Sequence, residues 1–208
     1  MFIENITENP VYYFSWIFAA GFSICCHEFA HAWTAVYYGD ETPREHLTLN
    51  PLVQMGRQSL FMLFLIGFAW GSVPVNPAAV PENRKRAMIS FAGPLMNLVL
   101  CALFAGAGAA AHKTGLSEPA YRFFINGSYV NGMLFVLNML PVPTLDGYSV
   151  LSSFSLRLEE IKRKYASRIF LGFAALVFLT PVGGVIFDMG GRLSGIFLFI
   201  GVRLLGGA

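Results

Sequence analysis

The run from Ala87 to Ala111, AMISFAGPLMNLVLCALFAGAGAAA, holds no charged residue. About 20 apolar residues make a helix long enough to cross a bilayer, and this run exceeds that. The rest of the chain points the same way. Of its 208 residues 55% are hydrophobic and only 12% charged, against about a quarter charged in soluble domains. Mean hydropathy is +0.58. The expectation is a single domain over 1–208, an all-α polytopic membrane protein with about five transmembrane helices. The other spans are expected at 11–38, 123–140, 169–187 and 191–207. A net charge of +2 gives no footing for nucleic acid. Cys25, Cys26 and Cys101 all lie in apolar runs, which argues against a disulfide framework. The start, MFIENITENP, lacks the basic region of a cleaved signal peptide.

Between these spans the chain changes character. The apolar run Leu60–Trp70 is too short to cross and is expected to be re-entrant. It is flanked by HLTLNP (46–51) and SVPVNP (72–77). Alternation and β-branched residues suggest two short strands, each stopped by Asn-Pro. SLRLEEIKRKYASR (155–168) reads as a basic surface helix.

Inside the first expected span lies His27-Glu28-Phe29-Ala30-His31. On a helix, residues i and i+4 share a face, so both imidazoles reach one ion. Glu28, one position after His27, is placed to move protons beside that ion, a combination suited to hydrolysis. An ionisable group at mid-membrane costs roughly 2.5–3.5 kcal/mol on insertion scales. Three in one turn therefore need a compensating partner, and a metal supplies it. Two histidines leave a tetrahedral site short of a third protein ligand. His46 lies in a polar loop and His112 at a span end. Asp146, in NMLPVPTLDGYSV, fits better, because no other charge lies between Arg122 and Arg157. To meet, the first span and 123–140 must run in the same direction, so 87–111 crosses once between them and 60–70 does not cross. Segments 39–86 and 141–168 then share one side, and they carry most of the Lys and Arg. The positive-inside rule places that side, and the metal site, toward the cytoplasm.

These motifs carry a resemblance. HEFAH, LTLNP, PVNP, FAGPLMN (91–97) and NMLPVPTLDG (138–147) occur in the order and spacing of the site-2 protease family of intramembrane zinc metalloproteases. The resemblance implies that His27, His31 and Asp146 bind one zinc ion per chain. It implies that Glu28 is the catalytic acid/base and that Asn138 lies near the reacting peptide. Gly93, Pro94 and Asn97 would shape helix packing. It further implies a multi-pass protein of a prokaryotic cell membrane, acting on membrane-protein substrates with transmembrane helices. Where many relatives carry His-x-Asp-Pro, this chain reads Val53-Gln54-Met55-Gly56, so the loop there takes its own shape. No segment resembles a PDZ or CBS domain, as in the compact form of the family. Two rival functions remain on the sequence alone. One is an inactive relative that binds membrane partners; the other is a transporter with a polar intramembrane site. One tightly held zinc per chain separates the protease from the transporter.

Overall fold

The computed structural model describes residues 2–206. Seven helices position the site: α1 (Pro10–Tyr37), α2 (Gly56–Ile66), α3 (Asn83–Thr114), α4 (Glu118–Asn138), α5 (Asp146–Ser152), α6 (Leu156–Leu179) and α7 (Val182–Leu204). Their ends follow local chemistry. The Asn9 side chain caps α1 by accepting from the Tyr12 amide at 3.1 Å, with Pro10 in the first turn. Gly67 and Gly115 end α2 and α3 in the left-handed conformation.

Hydrogen bonds fix the relative directions of the helices. His27 meets Asn97 and His31 meets Ile89, so α1 and α3 are antiparallel. Asn97 meets Asn131 and Cys101 meets Ser128, so α3 and α4 are antiparallel. Ser194 donates to Ser128 at 2.7 Å, and Gly132 and Gly190 bring α4 and α7 into backbone contact. A Cβ on either glycine would overlap the other helix. Since Gly190 faces Gly132 and Ser194 faces Ser128, α7 is antiparallel to α4 and parallel to α3. At the far end, the Lys113 ammonium donates to the Leu205 carbonyl.

The helix bounds after α5 differ from the expected spans 169–187 and 191–207. α6 starts beside α5, where the Tyr148 hydroxyl donates to the Leu158 carbonyl at 3.0 Å. It ends at Leu179, just before α7, where the Phe178 ring packs edge-on against Phe68. The basic segment 155–168 and the apolar residues after it form one helix, which Thr180 and Pro181 break inside the expected 169–187 span. Among the described residues two helices, α3 and α7, are long and apolar enough by composition to cross a membrane.

The expected strands do not form. Among the described residues the structure holds no strand, only an isolated bridge between Pro143 and Leu145. The prolines decide this. Pro51 starts a helical turn, Pro51–Gln54, capped by Asn50. Pro74 and Pro77 have no N–H for a ladder, and Asn76 folds into a turn by accepting from Ala78 N. Buried side chains hold these loops instead. Asp40, fully buried, accepts from Thr42 N and from Asn76 N at 2.7 Å. Gln54 donates to the carbonyls of His46 and Thr48.

The short apolar run does turn back. Tyr13 OH donates to Phe64 O and Trp16 Nε1 to Gly67 O, each at 2.8 Å, so α2 reaches the N-terminal half of α1. The chain then returns. Ser59 Oγ bonds both the N–H and the carbonyl of Trp70, and Ser72 N donates to Gln54 O.

Candidate metal centre

His27 and His31 lie one turn apart on the buried face of α1. Asp146, the first residue of α5, is carried to them by the loop after α4. His27 Nε2 lies 3.0 Å from His31 Nε2 and 3.0 Å from Asp146 Oδ2, which is 3.4 Å from His31 Nε2. His31 Nδ1 lies 2.7 Å from the Ile89 carbonyl, which can only accept, so Nδ1 carries the proton. His27 Nδ1 lies 2.6 Å from Asn97 Oδ1, which assigns its proton the same way. Both Nε2 lone pairs and a carboxylate oxygen therefore converge with no hydrogen among them. Such a set is repulsive without a cation, and two imidazoles with one carboxylate are donors that suit zinc with a position left open. The three side chains form a metal-competent group.

Two glycines keep this space clear. A Cβ on Gly93 would collide with Nε2 of both histidines. The motif FAGPLMN thus does more than pack helices: Gly93 leaves room at the donor atoms and Asn97 holds the His27 ring. Gly93→Ala is expected to lower zinc affinity about 10–100-fold while the bundle stays folded. Equilibrium zinc titration with a melting curve measures both, and unchanged affinity would rule out the crowding argument. A Cβ on Gly71, likewise, would overlap the Glu28 carboxylate.

Glu28 is 7% exposed and makes no hydrogen bond to a described residue; its carboxylate faces a cavity of about 370 Å³. The cavity is also lined by His27, His31, Asp146 and Asn138, so the sequence-predicted residues are brought together. His46 and His112 are not among them: His46 Nδ1 pairs with Gln54 Oε1 at 3.1 Å, and His112 packs against Tyr121. Sequence reasoning missed several neighbours. Lys162 of α6 lines the cavity and donates to Ser149 Oγ at 2.6 Å. Burial pushes its pKa down, against the pull of the Asp146 and Glu159 carboxylates. Nothing in a run of basic residues distinguished it. Asn131, a fully buried polar residue in an apolar span, did leave a readable signal.

Residues 15–123 match the model of peptidase family M50. "Putative zinc metalloprotease YwhC" of Bacillus subtilis (strain 168) is 31% identical over 180 residues, covering 79% of this chain and 80% of that protein. The chain belongs to peptidase family M50. A second relative of this M50 peptidase, "Putative zinc metalloprotease Rip2" of Mycolicibacterium smegmatis, is 39% identical over 142 residues, 62% of this chain and 52% of that protein. The protein of the same name from Mycobacterium tuberculosis is 34% identical over 173 residues, covering 76% and 64%. The chain thus spans most of the Bacillus relative and about half to two thirds of the others. No solved structure matches it. As a member of this membrane-embedded family of zinc metalloproteases, the M50 peptidase carries a donor set that fits the family's ion.

Proposed function

We propose that this M50 peptidase is a zinc-dependent intramembrane endopeptidase, cutting membrane-protein substrates within or near their transmembrane segments. The observation that carries this reading is the convergence of His27 Nε2 and His31 Nε2, on a helix whose only charged residue is Glu28, with Asp146 Oδ2 of α5. His27, His31 and Asp146 hold the metal. When bound, zinc polarises the scissile carbonyl and makes water a nucleophile near neutral pH. Glu28 takes a proton from the attacking water as the C–O bond forms, and delivers it to the amide nitrogen as the C–N bond breaks. Asn138, on the cavity wall at the end of α4, is suited to hydrogen-bond the peptide being cut. The cavity brings water to a bond that lipid otherwise keeps dry.

In this reading α1, α3, α4 and α7 cross the membrane, α2 dips in and returns, and α6 stays on the side where it starts. Both termini face outward, and the metal lies toward the cytoplasm of a prokaryotic cell membrane. Labelling of single cysteines placed at Arg57, Arg84 and Leu205, in a cysteine-free background, checks this arrangement. Positions 57 and 84 should react from the cytoplasmic side and 205 from outside. Labelling of 57 and 84 from opposite sides would mean that α2 crosses.

Capture of bound proteins on a Glu28→Gln variant in native membranes tests the function. The expected partners are proteins with a transmembrane helix that the wild-type chain then cleaves. Captured membrane proteins that wild-type enzyme leaves intact would favour an inactive binding protein instead.

A further inference from the structure

Behind the metal ligands runs a fully buried polar chain that crosses three helices. His27 Nδ1 lies 2.6 Å from Asn97 Oδ1 on α3, and Asn97 Nδ2 donates to Asn131 Oδ1 on α4 at 3.0 Å. Asn131 Nδ2 donates to the Gly127 carbonyl at 2.8 Å and to Ser23 Oγ on α1 at 2.7 Å. Asn97, Asn131 and Ser23 are each 0% exposed.

The ends of this chain differ in kind. A serine hydroxyl donates or accepts, and an amide side chain can turn over. The Gly127 carbonyl can only accept. It therefore fixes Asn131 with the amide nitrogen toward Gly127 and the oxygen toward Asn97. That fixes Asn97 with its nitrogen toward Asn131 and its oxygen toward His27. His27 must then carry its proton on Nδ1, leaving the Nε2 lone pair in the cavity.

The reverse arrangement shows what is at stake. If both amides turned over, Asn97 Nδ2 would face His27 Nδ1 and the ring proton would move to Nε2. There it would meet Asp146 Oδ2 only 3.0 Å away. That hydrogen bond would be favourable in the metal-free protein and would block the coordinating lone pair. Turning over also sets Asn131 Oδ1 against the Gly127 carbonyl, two acceptors facing each other in a dry interior, which is unfavourable.

We propose that Asn131 is a positioning residue for the metal centre: acting through Asn97, it holds His27 in the tautomer that binds the ion. The inference rests on His27 being a ligand in the proposed function. It assigns a role to α4 in the metal site beyond placing Asn138, and it explains a polar residue at full burial in the middle of an apolar bundle.

The test is zinc affinity of the purified full chain, measured by competition with a fluorescent zinc chelator, together with nitrogen-15 spectra of the histidines in metal-free protein. Outer partners of metal ligands are worth about 10–100-fold in affinity. Asn97→Leu should fall in that range, and Asn131→Leu should lose about 10-fold. Because Asn131 works through Asn97, the double variant should bind no more weakly than Asn97→Leu alone. Ser23→Ala should stay within about 3-fold of wild type, since the Gly127 carbonyl suffices to set the direction. Asn131→Asp, whose carboxyl can still accept from Asn97, should recover most of the affinity. In Asn131→Leu the His27 spectrum should shift toward the Nε2–H tautomer, a change that general loosening of the bundle would not produce. Asn131→Ala reads the same outcomes should the leucine variant not fold. Wild-type affinity in both Asn131→Leu and Asn131→Ala, additive losses in the double variant, or an unchanged tautomer would overturn the proposal. A His27→Ala variant with wild-type zinc affinity would overturn the proposed ligand set itself.

Discussion

Glu28→Gln should lower the rate of peptide cleavage by about 10²–10⁴-fold, the usual contribution of a positioned general base, and leave zinc affinity close to that of wild type. The two side chains are nearly the same size, so the fit against Gly71 is preserved. What is lost is a group that can take a proton from water and return it to the leaving amine. The metal site should persist because Glu28 is not among the three converging donors. Cleavage of a captured substrate by purified variant and wild type, with zinc content measured on the same samples, checks both halves. Near wild-type turnover would sink the role given to Glu28.

Removing a ligand should have the opposite signature. His27→Ala, His31→Ala and Asp146→Ala should each lose zinc and activity together. Each removes one of three donor atoms that lie within 4.8 Å of one another. Two protein ligands no longer hold the ion in a closed arrangement. His46→Ala and His112→Ala should keep full zinc, because their rings pair with Gln54 and Tyr121 away from the cavity. Metal analysis of the five purified variants decides the matter. Full zinc in Asp146→Ala with loss in His46→Ala would move the third ligand into the loop after α1.

The site was more legible in the sequence than the fold around it. His27 and His31 declare themselves because helical spacing alone puts them on one face, in a segment where charge is costly. Asp146 stood out as the only charge between Arg122 and Arg157, and the requirement that its span run the same way as the first is met by the antiparallel passage of α3 between α1 and α4. The run Leu60–Trp70, expected from its shortness to be re-entrant, forms a helix whose end bonds to Trp16, and Trp70 lies back against Ser59. The strands failed where proline chemistry had two readings. Asn50-Pro51 looked like the end of a strand and is the start of a helical turn. The expected 169–187 span is divided at Pro181: hydropathy averages over a proline, whereas the helix is interrupted there. The contacts that orient His27 and His31 were hidden for a different reason. The Ile89 carbonyl bears no side-chain signature, and the partnership of Asn97 with Asn131 joins residues 34 positions apart on two helices.

The account stands or falls on where the cut lies and what it needs. Purified wild-type protein, reconstituted into vesicles with a membrane protein captured on Glu28→Gln, allows the cut to be mapped by mass spectrometry of both products. The account predicts one zinc per chain and a cut within or beside the substrate's apolar span. Chelation should abolish cleavage and added zinc restore it. A cut confined to the substrate's soluble domain, or cleavage undiminished after the metal is removed, would contradict it.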